Sequence, residues 1–241
     1  MAVRVCTSIW GTAWERYGEK FAKSFTNHWD ESIELCLTVD NNYYFDRNTT
    51  QIYLDETPEY VEFMDKWTSN PMYPEDMTGD AFSKWKHDIV KWTPQAITPK
   101  VALDNNPHWI DGDILIWTDA DSEFYSNVDE AWVERVLDGK EVAALFRPTR
   151  HTEIGFFVLR LNENTRNFMN RWAELFTTYE IIDYEEWHSG YAWDIALKEF
   201  DLTIKNLNNT GSNGHPFPDS ILAEKIRHDK GHLKGPYEGT I

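Results

Sequence analysis

The residues best suited to chemistry are two aspartates separated by one alanine. Asp113-Ile114-Leu115-Ile116-Trp117 reads as a short apolar strand, and it delivers Thr118-Asp119-Ala120-Asp121. In extended backbone, residues i and i+2 project to the same side, so Asp119 and Asp121 are expected to present paired carboxylates where a buried strand ends. Such a pair repels itself unless a cation sits between the two acids, and oxygen ligands favour Mn²⁺ or Mg²⁺. A cation held there could bridge to a substrate diphosphate and stabilise a leaving charge. The competing reading is a pair of solvated acids opening a loop.

A second group lies in Arg227-His228-Asp229-Lys230-Gly231-His232-Leu233-Lys234-Gly235-Pro236. Residues 225–234 carry four Lys/Arg and two His against one Asp, inside a chain of 241 residues with 23 Lys+Arg, 41 Asp+Glu and a net charge of −18. This local inversion suits an anion: a His can complete an oxygen-rich metal site, a Gly lets backbone approach a phosphate, and a Lys supplies a point charge. A solvated basic tail competes with that reading. The third group is Glu186-Trp187-His188-Ser189-Gly190-Tyr191-Ala192-Trp193-Asp194. His188, Tyr191 and Asp194 are spaced by three and share one face of a helix, with Glu186 near its start. Polar groups beside a Trp pair suit a sugar, whose hydroxyls need hydrogen bonds and whose C–H faces stack on aromatics. A carboxylate so placed, Asp194 or Glu186, could serve as general base for a hydroxyl. The alternative is a helix start whose acids cap and solvate.

The elements that must position these groups alternate between short strands and helices. Strands are predicted at residues 3–8, 33–39 (half-buried, from its alternation), 113–117, 141–146, 154–159 and 202–206. Helices are predicted over 14–29, from Thr57 and Pro58 through Trp67, over 81–92, through Trp132 to Leu137, over 165–178, and after His188. This order implies an α/β fold, a mainly parallel sheet with helices on both faces and ligands at the carboxyl ends of its strands. No repeat or linker divides residues 1–241, so one domain is expected. With 41% hydrophobic and 15% aromatic residues the chain can bury a core. Trp14, Trp67, Trp132 and Trp172 are expected there. No apolar run approaches a membrane span and no signal-peptide pattern opens the chain, so a cytoplasmic protein with no membrane partner is expected. Cys6 and Cys36 read as buried, reduced thiols, and the sequons at Asn48 and Asn208 then carry little weight. The acidity argues against nonspecific coating of nucleic acid.

The strand with Asp119-Ala120-Asp121 resembles the DxD motif of GT-A-fold glycosyltransferases. His228-x-x-Gly231-x-x-Lys234 is similar to the C-terminal motif of the retaining glycogenin and galactosyltransferase group. A wider set resembles small, mostly phage-encoded GT-A-like proteins, some of which glycosylate or arabinosylate phage DNA. That set is Thr7-Ser8 with Tyr17-Gly18, Ile116 to Asp121, Glu153-Ile154-Gly155-Phe156, Glu186-Trp187-His188 with Tyr191 and Asp194, and His232-Leu233-Lys234-Gly235. The resemblance implies Mn²⁺ or Mg²⁺ on Asp119 and Asp121, with His228 or His232 as third ligand. His232-x-x-Gly235 offers a second register in which position 238 is Glu. Asp119 would also lie near the donor ribose, Gly231 and Lys234 would face the diphosphate, and Thr7 and Ser8, ending the first strand, would line the nucleotide pocket. Residues 225–241 would close over the donor.

The implied reaction moves a sugar from a nucleotide sugar, a UDP-sugar first, to an acceptor hydroxyl such as a hydroxymethylated base in phage DNA. The retaining motif implies retention. Catalytic candidates are Asp194, Glu186 and His188. Tyr191 and Glu153 would face the acceptor, with Gly155 letting substrate approach, although residues 153–156 also fit a plain edge strand. Arg147 and Arg150 could hold phosphate or stand solvated, and Lys84 is a weaker candidate for the diphosphate. Other acceptors, namely a glycan, a protein or a small molecule, stay open. Two other classes compete: a noncatalytic carbohydrate-binding module, and a haloacid-dehalogenase-type phosphohydrolase with Asp119 as nucleophile. The latter motif normally lies near the start of its chain and continues differently from Ser122-Glu123.

Overall fold

The first apolar run, Val3–Ile9, forms strand β1 in the computed structural model, which describes residues 1–47, 49–69 and 86–228. A π-helical turn at Trp14–Gly18 leads into α1 (Glu19–His28), followed by β2 (Glu34–Val39), β3 (Thr49–Tyr53), α2 (Pro58–Thr68) and α3 (Ile89–Asp104). Then come β4 (Ile114–Thr118), β5 (Ser122–Phe124), α4 (Glu130–Leu137), β6 (Val142–Leu145) and β7 (Glu153–Arg160). The chain continues with α5 (Glu163–Thr177), α6 (Ser189–Leu197), β8 (Ile204–Asn206) and β9 (Ile226–His228).

Seven strands form one sheet in the order β3-β2-β1-β4-β7-β6-β8, with β7 antiparallel to both its neighbours and the other pairs parallel. This is the α/β architecture that the alternating pattern predicts. Successive side chains on a strand point to opposite faces, and both faces are covered. Val5, Ile9, Ile116, Phe156 and Val158 pack with Phe21, Phe25 and Trp132 in one core. Cys6, Leu115, Trp117, Phe157 and Leu159 pack with Phe168, Trp172 and Trp193 in the other. Each fully buried Leu, Val or Phe contributes roughly 1.5–3 kcal/mol. Both thiols are free and buried, and Cys6 lies opposite Cys36.

Double coverage corrects one expectation. The strand around Leu35 and Leu37 was predicted half-buried, but Cys36 and Thr38 are buried too, because α3 lies over that face and Thr98 hydrogen-bonds the Thr38 hydroxyl. A second correction concerns α3 itself, predicted to end at Trp92 and found to run on to Asp104 through Pro94 and Pro99. Each proline removes an N–H from the helix. The threonine before each donates its hydroxyl four residues back, Thr93 to the Ile89 carbonyl at 2.7 Å and Thr98 to the Pro94 carbonyl at 2.6 Å. The remainder of the predicted 81–92 helix, residues 81–85, lies outside the described residues. Among the described residues no helix is long and apolar enough to cross a membrane.

β1 has β2 on one side and β4 on the other, so the strand order reverses between β1 and β4. Ligand crevices in open α/β sheets form outside the carboxyl ends of strands at such a point. Because β7 is antiparallel to β4, its first residue, Glu153, lies at the same end. The opposite end is tied by Asp113, which accepts from the Ala2 N–H at 2.7 Å, the Ile110 N–H at 3.2 Å and Arg4 at 3.2 Å. Burial works to raise this carboxyl, but those hydrogen bonds hold it below its ordinary range. Asp113→Ala is therefore expected to cost about 2–3 kcal/mol in urea unfolding, by stranding these donors. A loss below about 0.5 kcal/mol would contradict this.

Candidate active site

Three ligand-bearing side chains meet from two distant parts of the chain. After β4 a tight turn forms in which the Ser122 N–H donates to the Asp119 carbonyl at 2.9 Å, and the Asp119 N–H donates to the Gly155 carbonyl at 2.9 Å. The turn, rather than the extended alternation expected from the sequence, brings Asp119 and Asp121 together. β5 then pairs antiparallel with β9, placing Ser122 opposite His228. Nε2 of His228 consequently lies 2.9 Å from Asp121 Oδ1 and 3.7 Å from Asp119 Oδ2. One ligand atom from each of the three residues lies within 4.8 Å of the others.

Neighbours fix Asp119 and His228 in direction. Asp119 Oδ1 accepts from Trp117 Nε1–H at 2.9 Å and from the Gln95 amide at 3.1 Å, turning Oδ2 toward His228. His215 Nε2–H donates to the His228 carbonyl at 2.7 Å, and the Phe217 ring lies 4.6 Å from the His228 ring. Among the described residues, neither ring nitrogen of the buried His228 makes a hydrogen bond, so its approach to Asp121 has the distance but not the angle of one. That arrangement suits ligands aimed at a shared cation. Two carboxylates and an imidazole fit Mn²⁺ or Mg²⁺, with the imidazole favouring Mn²⁺.

Gly155 makes room for this group. A Cβ there would stand 3.2 Å from Asp119 Oδ2 and 3.2 Å from His228 Cε1. For a cation held by these three residues, Gly155→Ala is expected to weaken Mn²⁺ binding by about tenfold, through displaced ligands, with little change in the thermal melt. Calorimetric titration with Mn²⁺ measures this, and wild-type affinity would contradict it.

Gln95 joins this group to a second one, because its carbonyl oxygen takes the Ser189 hydroxyl at the start of α6. His188 caps that helix: its Nδ1 accepts from the Tyr191 N–H at 3.2 Å. The proton of the neutral ring is therefore on Nε2, which donates to Glu186 Oε2 at 2.9 Å. Burial, reinforced by His151, pushes His188 down to about 4. Glu186 also takes the Lys86 ammonium. Burial works to raise the Glu186 carboxyl, but the Lys86 hydrogen bond and the neighbouring His188 carry it below its ordinary value. Asp194 accepts from the Thr152 N–H at 3.1 Å and from the Thr152 hydroxyl, and its Oδ2 lies 3.2 Å from His151 Nδ1. Ligand atoms of His151, Glu186 and His188 also cluster within 4.8 Å. The Lys86 charge and the His188 proton oppose a cation there.

Scans against models of known protein families and against curated proteins find no match for this chain.

The structure brings Asp119, Asp121 and His228 into one group, and Glu186, His188, Tyr191 and Asp194 into another. Both carboxylates proposed as bases are engaged by neighbours. Glu153 is buried, with Arg147 Nη1 3.6 Å from its Oε2, and it opens a strand inside the sheet and not at an edge. Arg147 also donates through Nε to the His151 carbonyl at 2.6 Å, so it positions the loop before β7, while Arg150 is exposed. Thr7 does not end its strand, as had been expected. β1 continues to Ile9, and Thr7 is fully buried, whereas Ser8 is half-buried. Lys84, Gly231, His232 and Lys234 lie outside the described residues.

Sequence reasoning missed Gln95, His151, Lys86 and His215. Gln95 fell beyond the predicted end of its helix. His151 had a legible signal, since the polar run Thr149-Arg150-His151-Thr152 directly precedes the strand that starts at Glu153.

Proposed function

We propose that the protein is a metal-dependent glycosyltransferase that moves a sugar from a nucleotide sugar, a UDP-sugar first, to an acceptor hydroxyl. One observation carries this reading: Asp119, Asp121 and His228 converge at the carboxyl end of β4, at the point where the strand order reverses. A divalent cation bound there would supply positive charge to the donor diphosphate and offset the charge that develops as it leaves. Trp117 and Gln95 hold Asp119 for that purpose, and Phe217 and His215 hold His228. Gly155 leaves space for both. The second group adds hydrogen-bonding partners and the Tyr191 ring, which suit a sugar or an acceptor.

The acceptor we favour, on the resemblance to phage enzymes, is a hydroxymethylated base in DNA. A net charge of −18 disfavours extensive contact with a duplex, so the base would be taken singly, with exposed Arg150 among the cations available to its phosphates. Mass spectrometry of hydroxymethylated DNA, glycans and small hydroxyl compounds, each incubated with a panel of nucleotide sugars and Mn²⁺, tests this. A metal-dependent sugar adduct on the DNA is expected. An adduct on another acceptor would correct the acceptor alone, and no adduct with any donor would overturn the reading.

A further inference from the structure

A histidine stands beside the two carboxylates that its neighbours have already engaged. His151 Nδ1 lies 3.2 Å from Asp194 Oδ2. A carboxylate accepts, so Nδ1 carries the ring proton and Nε2 keeps its lone pair. The side chain is 34% exposed, and the Tyr191 ring meets it edge-on at 4.7 Å. Its backbone is held as well. Arg147 donates to the His151 carbonyl at 2.6 Å, and Gly190 lets α6 close on the next residue, where a Cβ would stand 2.8 Å from the Thr152 carbonyl. A proton gained on Nε2 would face Glu186 Oε2 at 3.6 Å. Gly155, which borders Asp119 and His228, is four residues from His151. The two Cα atoms therefore lie no more than about 14 Å apart, so His151 belongs to the same end of the sheet as that group.

We infer, resting on the glycosyl-transfer reading, that His151 is the catalytic base for the acceptor hydroxyl and Asp194 its positioning residue. The acceptor O–H bond breaks and its proton passes to Nε2. The electron pair of that bond forms the new bond from acceptor oxygen to anomeric carbon, and the bond to the diphosphate breaks with its pair on the departing oxygen. The imidazolium then returns its proton to water. Displacement assisted from the acceptor side inverts the anomeric centre, in place of the retention expected from the terminal motif. The charged and titratable groups around His151 are Asp194 and Tyr191 from α6, Glu186 and His188 from the segment before it, and Arg147 and Arg150 from its own loop.

Nitrogen-15 NMR of labelled histidines tests the tautomers without any substrate. Wild-type protein is expected to show His151 protonated on Nδ1 and His188 on Nε2; the reverse tautomer at His151 would overturn the assignment. With a UDP-sugar panel, Mn²⁺ and hydroxymethylated DNA, His151→Ala is expected to lower kcat by about 100-fold or more. Added imidazole should restore part of the rate, and UDP affinity in Mn²⁺ should stay as in wild type. Asp194→Asn should lower kcat by about tenfold with KM little changed. Full activity in His151→Ala, or an α-linked product from an α-linked donor, would overturn the inference. A wild-type protein that binds neither Mn²⁺ nor UDP would refute the transferase reading itself, which the tautomer result does not touch.

Discussion

Asp121→Asn is expected to lower sugar transfer by at least about 10³-fold, equivalent to roughly 4 kcal/mol of transition-state stabilisation. Asparagine keeps the size of the side chain and its contact with His228, 2.9 Å away, but removes the charge that would hold a cation against a diphosphate. The turn that carries Asp121 is fixed by backbone hydrogen bonds from Ser122 to Asp119 and from Asp119 to Gly155, which the substitution leaves in place. The thermal melt should therefore stay within a few degrees of wild type. Product mass spectrometry beside calorimetric unfolding separates the two effects. Transfer at more than about a tenth of the wild-type rate would contradict the role given to this carboxylate, and a collapsed melt would make it structural.

The second large effect concerns acid stability. His188 is buried as a neutral ring whose Nδ1 caps α6, and its folded pKa of about 4 lies below the ordinary histidine value of 6.5. Between those values the unfolded chain binds the proton more readily than the folded one. The stability that depends on a neutral His188 is thus present above about pH 6.5 and lost as pH falls through about 4, amounting to about 3 kcal/mol. His188→Asn keeps a cap acceptor for the Tyr191 N–H and removes the titration. Urea unfolding at pH 7.5 and pH 4 should show the wild-type protein losing about 2–3 kcal/mol more than the variant over that interval. Equal losses would mean that His188 is not held neutral.

Apart from β3, β5 and β9, the order of strands and helices was readable because hydrophobic period survives tertiary packing. Ile114 to Trp117 and Phe156 to Leu159 are buried on both faces and read as continuous apolar runs. The three-residue strand β9 carries no such period. Its pairing with β5 is a long-range event, and that pairing is what brings His228 to Asp119 and Asp121. The local motif therefore pointed to two candidate histidines, and the sheet register places one of them beside the acids. Gln95 was hidden for another reason: a proline at 94 argues against helix, yet the Thr93 and Thr98 hydroxyls reach back to helix carbonyls along the segment that carries it. Asp194 and Glu186 were legible as candidates from their spacing alone. Their engagement by Thr152, His151, Lys86 and His188 depends on side chains from α6, the segment before it and the lead-in to β7 meeting at one end of the sheet.

In the proposed reaction, Asp119, Asp121 and His228 hold a divalent cation that in turn holds a nucleoside diphosphate. Isothermal titration of the full chain with UDP, first in Mn²⁺ and then in EDTA, tests it most directly. UDP is expected to bind in Mn²⁺, at least about 100-fold more weakly in EDTA, and with the same loss in His228→Ala with Mn²⁺ present. Equal UDP affinity with and without the metal would contradict it.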